Sequence, residues 1–341
     1  MDHSYTLSSS PHIKQEEDTR SIMLDVCIAL AFPLIIAVYF FGWRALIVTV
    51  LSVGACVFFE WAYRALMKKE SSVGDLSAVV TGLLLAFNLS AAVPYWVPVL
   101  GAFFAIVIVK QLYGGLGHNF MNPALAARVF LAVSFTGVMN VFPAVSPGDL
   151  TTLPLWGKVD VVSAATPLSL SLMKSGILPG EQQFTLQELL LGQMPGTLGE
   201  VSALMLLLGG LYLLVRRVIT PRIPLCYLGT VAVLTYLFPM GGNARLDWML
   251  FQMLSGGLVL GAVFMATDYA TSPITTRGQI MFGVGCGLLT VFIRYFGGYP
   301  EGVSFSILIM NACVWLFDKY ARPRRFGTPR LAFLRRGGKK P

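Results

Sequence analysis

Long apolar runs, broken by short polar or Gly/Pro-containing stretches, dominate the chain. Five fall at residues 22–41, 43–66, 76–90, 95–113 and 123–141, and five more at 201–215, 223–238, 246–266, 279–296 and 303–320. A helix crosses a bilayer with roughly 20 apolar residues, and most of these runs approach that length. The pattern predicts an all-α integral membrane protein with about ten transmembrane helices. Between the two sets lies a mixed connection, residues 142–200, far longer than neighbouring helices need. Long connections that survive in compact proteins usually carry function. The expected organisation is a polar tail (1–21), a first membrane unit (22–141), a large loop (142–200), a second membrane unit (201–320) and a basic tail (321–341).

The two sets share features. The third run contains Thr81-Gly82-Leu83-Leu84-Leu85-Ala86, and the eighth contains Ser255-Gly256-Gly257-Leu258-Val259-Leu260-Gly261-Ala262. The fifth is approached through Gly117-His118-Asn119-Phe120-Met121-Asn122-Pro123, the tenth through Tyr299-Pro300-Glu301-Gly302-Val303-Ser304-Phe305. Five spans per set turn the second upside down relative to the first, giving two inverted five-helix repeats. Short runs with Gly-rich approaches predict broken helices where the repeats meet. Chance likeness among Gly-, Leu- and Ala-rich helices is the competing reading.

Composition supports a membrane location. The chain has 341 residues, 55% hydrophobic and 12% charged, with a mean hydropathy of +0.70. Soluble domains carry about a quarter charged residues. The net charge of +8 does not point to nucleic acid, because the excess sits beside the runs and in the last twenty residues. Arg64, Lys68 and Lys69 follow the second run, Arg216, Arg217 and Arg222 the sixth, and nine further Lys and Arg follow from Lys319 on. Ten spans put all three clusters on the side of the N-terminus, which positive charge marks as cytoplasmic. The 142–200 loop then lies outside. The polar start lacks a basic segment followed by a short apolar core, so the first run reads as a retained helix.

Five cysteines, Cys27, Cys56, Cys226, Cys286 and Cys313, all fall inside apolar runs without a Cys-x-x-Cys. They read as small buried helix residues rather than iron–sulfur or zinc ligands. No dinucleotide-binding fingerprint is present.

Within the long loop stands Asp160-Val161-Val162-Ser163-Ala164-Ala165-Thr166. It resembles the signal at which a flavin transferase joins FMN to a threonine hydroxyl through a phosphoester, with Ala164 where the usual form has Gly. Together with Gly117-His118-Asn119-Phe120-Met121-Asn122-Pro123-Ala124-Leu125-Ala126-Ala127-Arg128 and Tyr299-Pro300-Glu301-Gly302, it makes the chain similar to the NqrB/RnfD family. That family holds the D subunit of the Rnf complex, an ion-translocating ferredoxin:NAD oxidoreductase, and the B subunit of the sodium-pumping NADH:quinone reductase. The shorter polar N-terminus favours the Rnf member.

The resemblance implies a bacterial inner-membrane subunit relaying electrons within an ion pump, with other Rnf-type subunits (A, B, C, E and G) and an FMN transferase as partners. It implies FMN on Thr166, with Asp160 and Ser163 serving recognition by the transferase. It also implies a second flavin, non-covalent riboflavin, near His118, Asn119 and Asn122, whose amides match a flavin's carbonyl and imide edge. Helix capping accounts equally well for an Asn before Pro123. Asp268 closes the eighth run, either as a helix-end residue in water, as a partner for Arg277, or as part of the flavin or ion path. Lys110 and Arg128 read as snorkelling residues and Asp25 and Glu60 as helix-end residues. Two other classes remain: a urea- or ammonium-type channel with inverted repeats, which needs no flavin, and a structural anchor, which needs no Thr166.

Overall fold

Asp18 opens the first helix with a reciprocal cap. Its carboxylate accepts from the Thr19 N–H at 2.7 Å, while its own N–H donates to Ser21 Oγ at 3.1 Å. Helix α1 (Thr19–Phe41) runs through Pro33 and stops at Gly42, whose φ of 71° turns the chain straight into α2 (Trp43–Leu66). The computed structural model describes residues 18–143, 147–148, 153–155, 166, 168, 186–298 and 301–321. Then come α3 (Ser77–Phe87), α4 (Trp96–Gln111) and α5 (Pro123–Ser134). From Phe104 on, α4 is wound as a wider π-helix. Beyond the long connection lie α6 (Leu186–Leu191), α7 (Ala203–Val215), α8 (Arg222–Leu237), α9 (Arg245–Leu254), α10 (Leu258–Met265), α11 (Thr276–Phe296), α12 (Val303–Ala312) and α13 (Val314–Tyr320). No strand occurs among the described residues.

Each expected run contains helix, but several are shorter or broken. Helices α1, α2 and α11 are long and apolar enough to cross a membrane alone. The bent pairs α9–α10, at 65°, and α12–α13, at 49°, bring the number to five when each counts as one span. The run at 76–90 is helical only to Phe87 and the run at 123–141 only to Ser134, with one further turn at Thr136–Met139. The α9–α10 break has a local cause: Gly256 and Gly257 sit at φ 68° and 56°, outside helical geometry.

The surface is more apolar than that of a soluble protein, and several charged or polar side chains lie within the apolar core. Ile35, Val50, Phe58, Trp61, Leu225 and Phe292 are each more than half exposed. Arg44, Glu60, Lys110, Gln111, Gln252 and Arg294 are buried. An apolar outer wall suits hydrocarbon, where polar groups are satisfied only by each other. Small residues let the helices approach. A Cβ on Gly82 of α3 would lie 2.6 Å from Val53 Cα of α2, and one on Gly283 of α11 2.8 Å from Cys226 Cβ of α8. Gly209 of α7 seats against the Ala29 carbonyl of α1 and so joins the two halves.

The snorkelling expectation fails for both cations. Lys110 Nζ pairs with Glu60 at 2.8 Å, the two side chains 2% and 0% exposed. Arg128 Nη2 meets both Glu301 oxygens at 2.8 and 2.9 Å. The reason lies in the surroundings: both cations face other parts of the protein, where a carboxylate partner replaces water. Asp25 is likewise engaged, accepting from Tyr212 Oη at 2.8 Å and pairing with Arg216 at 3.2 Å. Cys56 and Cys286 are buried, Cys27, Cys226 and Cys313 half-buried, and all five are free thiols. No group of metal-ligating side chains occurs among the described residues.

Candidate functional site

Where α1, α3, α5, α7 and the end of α10 converge, they line a cavity that opens to solvent. Its apolar walls include Val80, Leu84, Leu213 and Phe264, and its polar lining comes from Ser77, Thr81, Lys110, Asn119, Asn122, Thr267 and Asp268. Apolar walls with a few convergent polar groups are the usual build of a small-molecule site.

Each polar group is held from behind. Asn122 is the N-cap of α5, its Oδ1 accepting from the N–H groups of Ala124 (3.1 Å) and Leu125 (3.3 Å), with Pro123 in the first turn. Its Nδ2 reaches the Met265 carbonyl at 3.4 Å, and Asn311, with its amide oriented to satisfy both sides, accepts from the Asn122 N–H at 3.2 Å. The capping reading of Asn122 therefore describes its hydrogen bonds, and the residue also lines the cavity. Asn119 is 5% exposed and donates to the Met121 carbonyl at 3.0 Å. His118 lies exposed beside Gly114 and outside the cavity lining.

Asp268 accepts from Thr271 Oγ1 at 3.2 Å and from the Ala270 N–H at 3.4 Å. No ion pair with Arg277 occurs among the described residues. Burial pushes the Asp268 carboxyl above the usual aspartate range, opposed by these two hydrogen bonds and by the Lys110 charge. The structure thus unites Asn119, Asn122 and Asp268 and adds Lys110, which sequence reasoning missed. Lys110 Nζ donates to Glu60 and, at 2.6 Å, to Ser77 Oγ at the start of α3. Glu60 also accepts from Gln111 Nε2 (3.0 Å) and Ser72 Oγ (2.5 Å). Nothing in a lysine at a run's end signals such a network, because its partner lies fifty residues away.

A second candidate region surrounds Thr166, which is half-buried. Two residues on, Leu168 is buried in a small cluster with Leu189, Met194, Trp248 and Phe251. It packs so closely on Gly256, in the α9–α10 break, that a Cβ there would fall 1.9 Å from Leu168 Cδ1. The broken helix therefore seats Leu168, two residues from Thr166. Asp160 and Ser163 lie outside the described residues, as do Tyr299 and Pro300.

Similarity to known proteins extends over nearly the whole chain. The profile of the NQR2, RnfD, RnfE family matches residues 6–327. The chain belongs to this family. A relative from Acetobacterium woodii, named as the D subunit of a Na⁺-translocating ferredoxin:NAD⁺ oxidoreductase complex, is 46% identical over 96% of both chains. One from Clostridium ljungdahlii, named as the D subunit of a proton-translocating ferredoxin:NAD⁺ oxidoreductase complex, is 41% identical over 96% of this chain and 97% of its own. A third, from Stutzerimonas stutzeri and named as the D subunit of an ion-translocating oxidoreductase complex, is 40% identical over 90% and 91%. In this NQR2, RnfD, RnfE member the cavity and the Thr166 seat both fall within the matched span.

Proposed function

We propose that the chain is the D-type membrane subunit of an ion-translocating ferredoxin:NAD⁺ oxidoreductase, and that it relays electrons through two flavins. The observation that carries this reading is near-full-length similarity to relatives named as that subunit. Those names divide between Na⁺ and protons, and the reading commits to ion translocation alone. Other Rnf-type subunits (A, B, C, E and G) hold the sites for ferredoxin and NAD⁺. The subunit crosses the bacterial inner membrane several times with both termini in the cytoplasm.

In this reading Thr166 Oγ1 holds FMN through a phosphoester formed by an FMN transferase, with Asp160 and Ser163 in its recognition signal. The cytoplasmic cavity holds riboflavin, with Asn119, Asn122 and Asp268 around its polar edge and His118 at the approach. Bound flavins supply one-electron chemistry, while the protein supplies position and electrostatics. The chain's own groups suit those tasks. The Glu60-held Lys110 ammonium supplies a fixed positive charge at the cavity wall. The Leu168 anchor fixes the backbone two residues from the attachment hydroxyl.

The same reading holds ten spans in two inverted repeats. Support comes from α5 and α12, one in each half. Asn122 at the start of α5 meets Asn311 near the end of α12, while Arg128 further along α5 meets Glu301 just before α12. The two short helices therefore lie side by side and antiparallel, as a two-fold axis in the membrane plane requires.

The test is in-gel flavin fluorescence of the denatured subunit with the labelled peptide mapped by mass spectrometry. Thr166→Ala should abolish that fluorescence and stop turnover while the complex still assembles. Fluorescence that persists on the Thr166→Ala band removes the FMN assignment. Asn119→Ala with Asn122→Ala should release extractable riboflavin about ten-fold more readily while the covalent flavin stays, since two lost hydrogen bonds are worth roughly 1–3 kcal/mol.

A further inference from the structure

A group of charges outside the cavity lining joins α5, α11 and the connection ahead of α7. Arg128 is 6% exposed and spends Nη2 on both Glu301 oxygens, while its Nη1 is buried without a hydrogen-bond partner. Arg294 of α11 spends its guanidinium on carbonyl oxygens. Nη1 donates to the Gln252 carbonyl (2.6 Å) and side-chain oxygen (3.1 Å), Nη2 to the Ser255 and Gly256 carbonyls (both 3.1 Å), and Nε to the Glu301 carbonyl (3.2 Å). Arg294 is therefore fully committed, while Arg128 keeps Nη1 open.

Glu200 sits among them. It belongs to the connection just ahead of α7, outside the spanning helices. That connection is tied to the chain beyond α3 by Leu198 N–H to the Leu89 carbonyl (2.9 Å) and Gly199 N–H to the Phe87 carbonyl (2.8 Å). The Glu200 side chain is 9% exposed and pressed against the α9–α10 break, where a Cβ on Gly257 would lie 3.3 Å from Oε1. Its oxygens receive one long hydrogen bond, from the Thr197 N–H at 3.3 Å, and no ion pair among the described residues. An ionised carboxylate in that position lacks both water and a counter-ion, which strongly favours the neutral acid. Glu301, by contrast, is 28% exposed and fully paired.

We propose that Glu200 is a proton-binding carboxyl at the junction of the two halves, passing between a neutral state and an ionised one in which it accepts from the open Nη1 of Arg128. The arrangement described, with one long hydrogen bond and no ion pair, is assigned to the neutral acid. On ionisation the proton leaves to water, the carboxylate takes the Arg128 N–H, and no electron moves. The chemical site stands without the flavin reading; only the side of the membrane from which the proton is exchanged rests on the proposed topology. The charged groups around it agree. Burial pushes the Glu200 carboxyl up, Glu301 adds to that, and Arg128, the Thr197 N–H and Arg294 pull the other way. Gly256 touches both Leu168 and Arg294, so the segment bearing Thr166 and the charge group share one support.

The experiment is infrared difference spectroscopy of the intact complex, stepped in pH. Wild type should show a protonated-carboxyl C=O signal that disappears as pH rises through the Glu200 range. Glu200→Gln should lose that signal, and Glu301→Gln should keep it. A signal unchanged in Glu200→Gln overturns the proposal. If that variant does not assemble, carbodiimide labelling of the wild-type complex decides, because the reagent adds to protonated carboxyls. Glu200 labelled at neutral pH and protected at alkaline pH supports the site; Glu301 labelled while Glu200 is not overturns it. Neither readout depends on covalent flavin, so a failed Thr166 assignment leaves this test intact.

Discussion

At the scale of single residues, the pair Lys110–Glu60 is the sharpest case of chemistry hidden from the sequence. The two lie on different helices, and each alone reads as a span-end charge. Only packing of α2 against α4 brings them to 2.8 Å in a site closed to water. Breaking a buried pair from one side leaves an uncompensated charge and costs about 3–5 kcal/mol, whereas an apolar replacement of both is often neutral. Lys110→Met should therefore lower the thermal midpoint of the purified subunit sharply, and Lys110→Met with Glu60→Leu should recover most of the loss. A double variant as unstable as the single one refutes the pairing. Asp268 offers a pH test of the cavity. Its folded-state carboxyl is raised, so the native form favours the bound proton. Its contribution to stability is complete below the ordinary aspartate pKa of about 4 and is lost as pH climbs through the raised value. Asp268→Asn should flatten the fall of the melting temperature with rising pH in that window; an unaltered slope rejects the burial account. Asn122, by contrast, was legible, because Asn before Pro at the start of an apolar run is a cap by local chemistry alone.

At the scale of elements, the sequence located helices better than their ends or bends. The starts at Trp43, Pro123 and Val303 agree with the structure, each preceded by Gly or Asn. Hydropathy is blind to the 65° bend between α9 and α10, because Gly-Gly keeps the run apolar while abandoning helical φ. The early stop of α3 has one local signal, Asn88 just past Phe87, while the carbonyls of Phe87 and Leu89 are met by the Gly199 and Leu198 N–H groups from a distant segment. Helix contacts were foreshadowed only by glycine content. Gly209 and Gly229 make the point, since both lie in apolar helices yet differ in surroundings. A Cβ on Gly209 would fall 2.5 Å from the Ala29 carbonyl oxygen, while one on Gly229 meets nothing within 4 Å. Gly209→Ala must push α7 from α1, an overpacking cost of about 1–3 kcal/mol. Gly229→Ala should gain roughly 0.5–1 kcal/mol from reduced backbone freedom. Opposite shifts in melting temperature check the pair, and equal shifts would mean that the α1–α7 contact does not join the halves.

At the scale of the whole molecule, the arrangement of charge speaks to orientation in the membrane. Lys68 and Lys69 follow α2, and Arg216 and Arg217 follow α7, so one end of the helix bundle gathers cations from both halves. The cavity with Lys110 and Asp268 opens near that end, since Val218 and Ile219, just past Arg217, line it. The Thr166 seat and α6 follow the opposite ends of the helices, where Leu168 packs on Trp248 and Phe251 of α9. Positive charge keeps short loops in the cytoplasm, so the proposed topology puts the two regions on opposite sides of the bilayer. In a variant lacking the five native cysteines, a single cysteine placed at Gln187, exposed on α6, should react with a membrane-impermeant maleimide added to intact cells. One placed at Lys68 should react only after the cells are opened. The chain length makes the experiment decisive, because an even number of spans between the two positions puts both on one side and an odd number separates them. Labelling of both from outside, or of Lys68 alone, would overturn the ten-span inverted arrangement and with it the separation of the two flavin positions across the membrane.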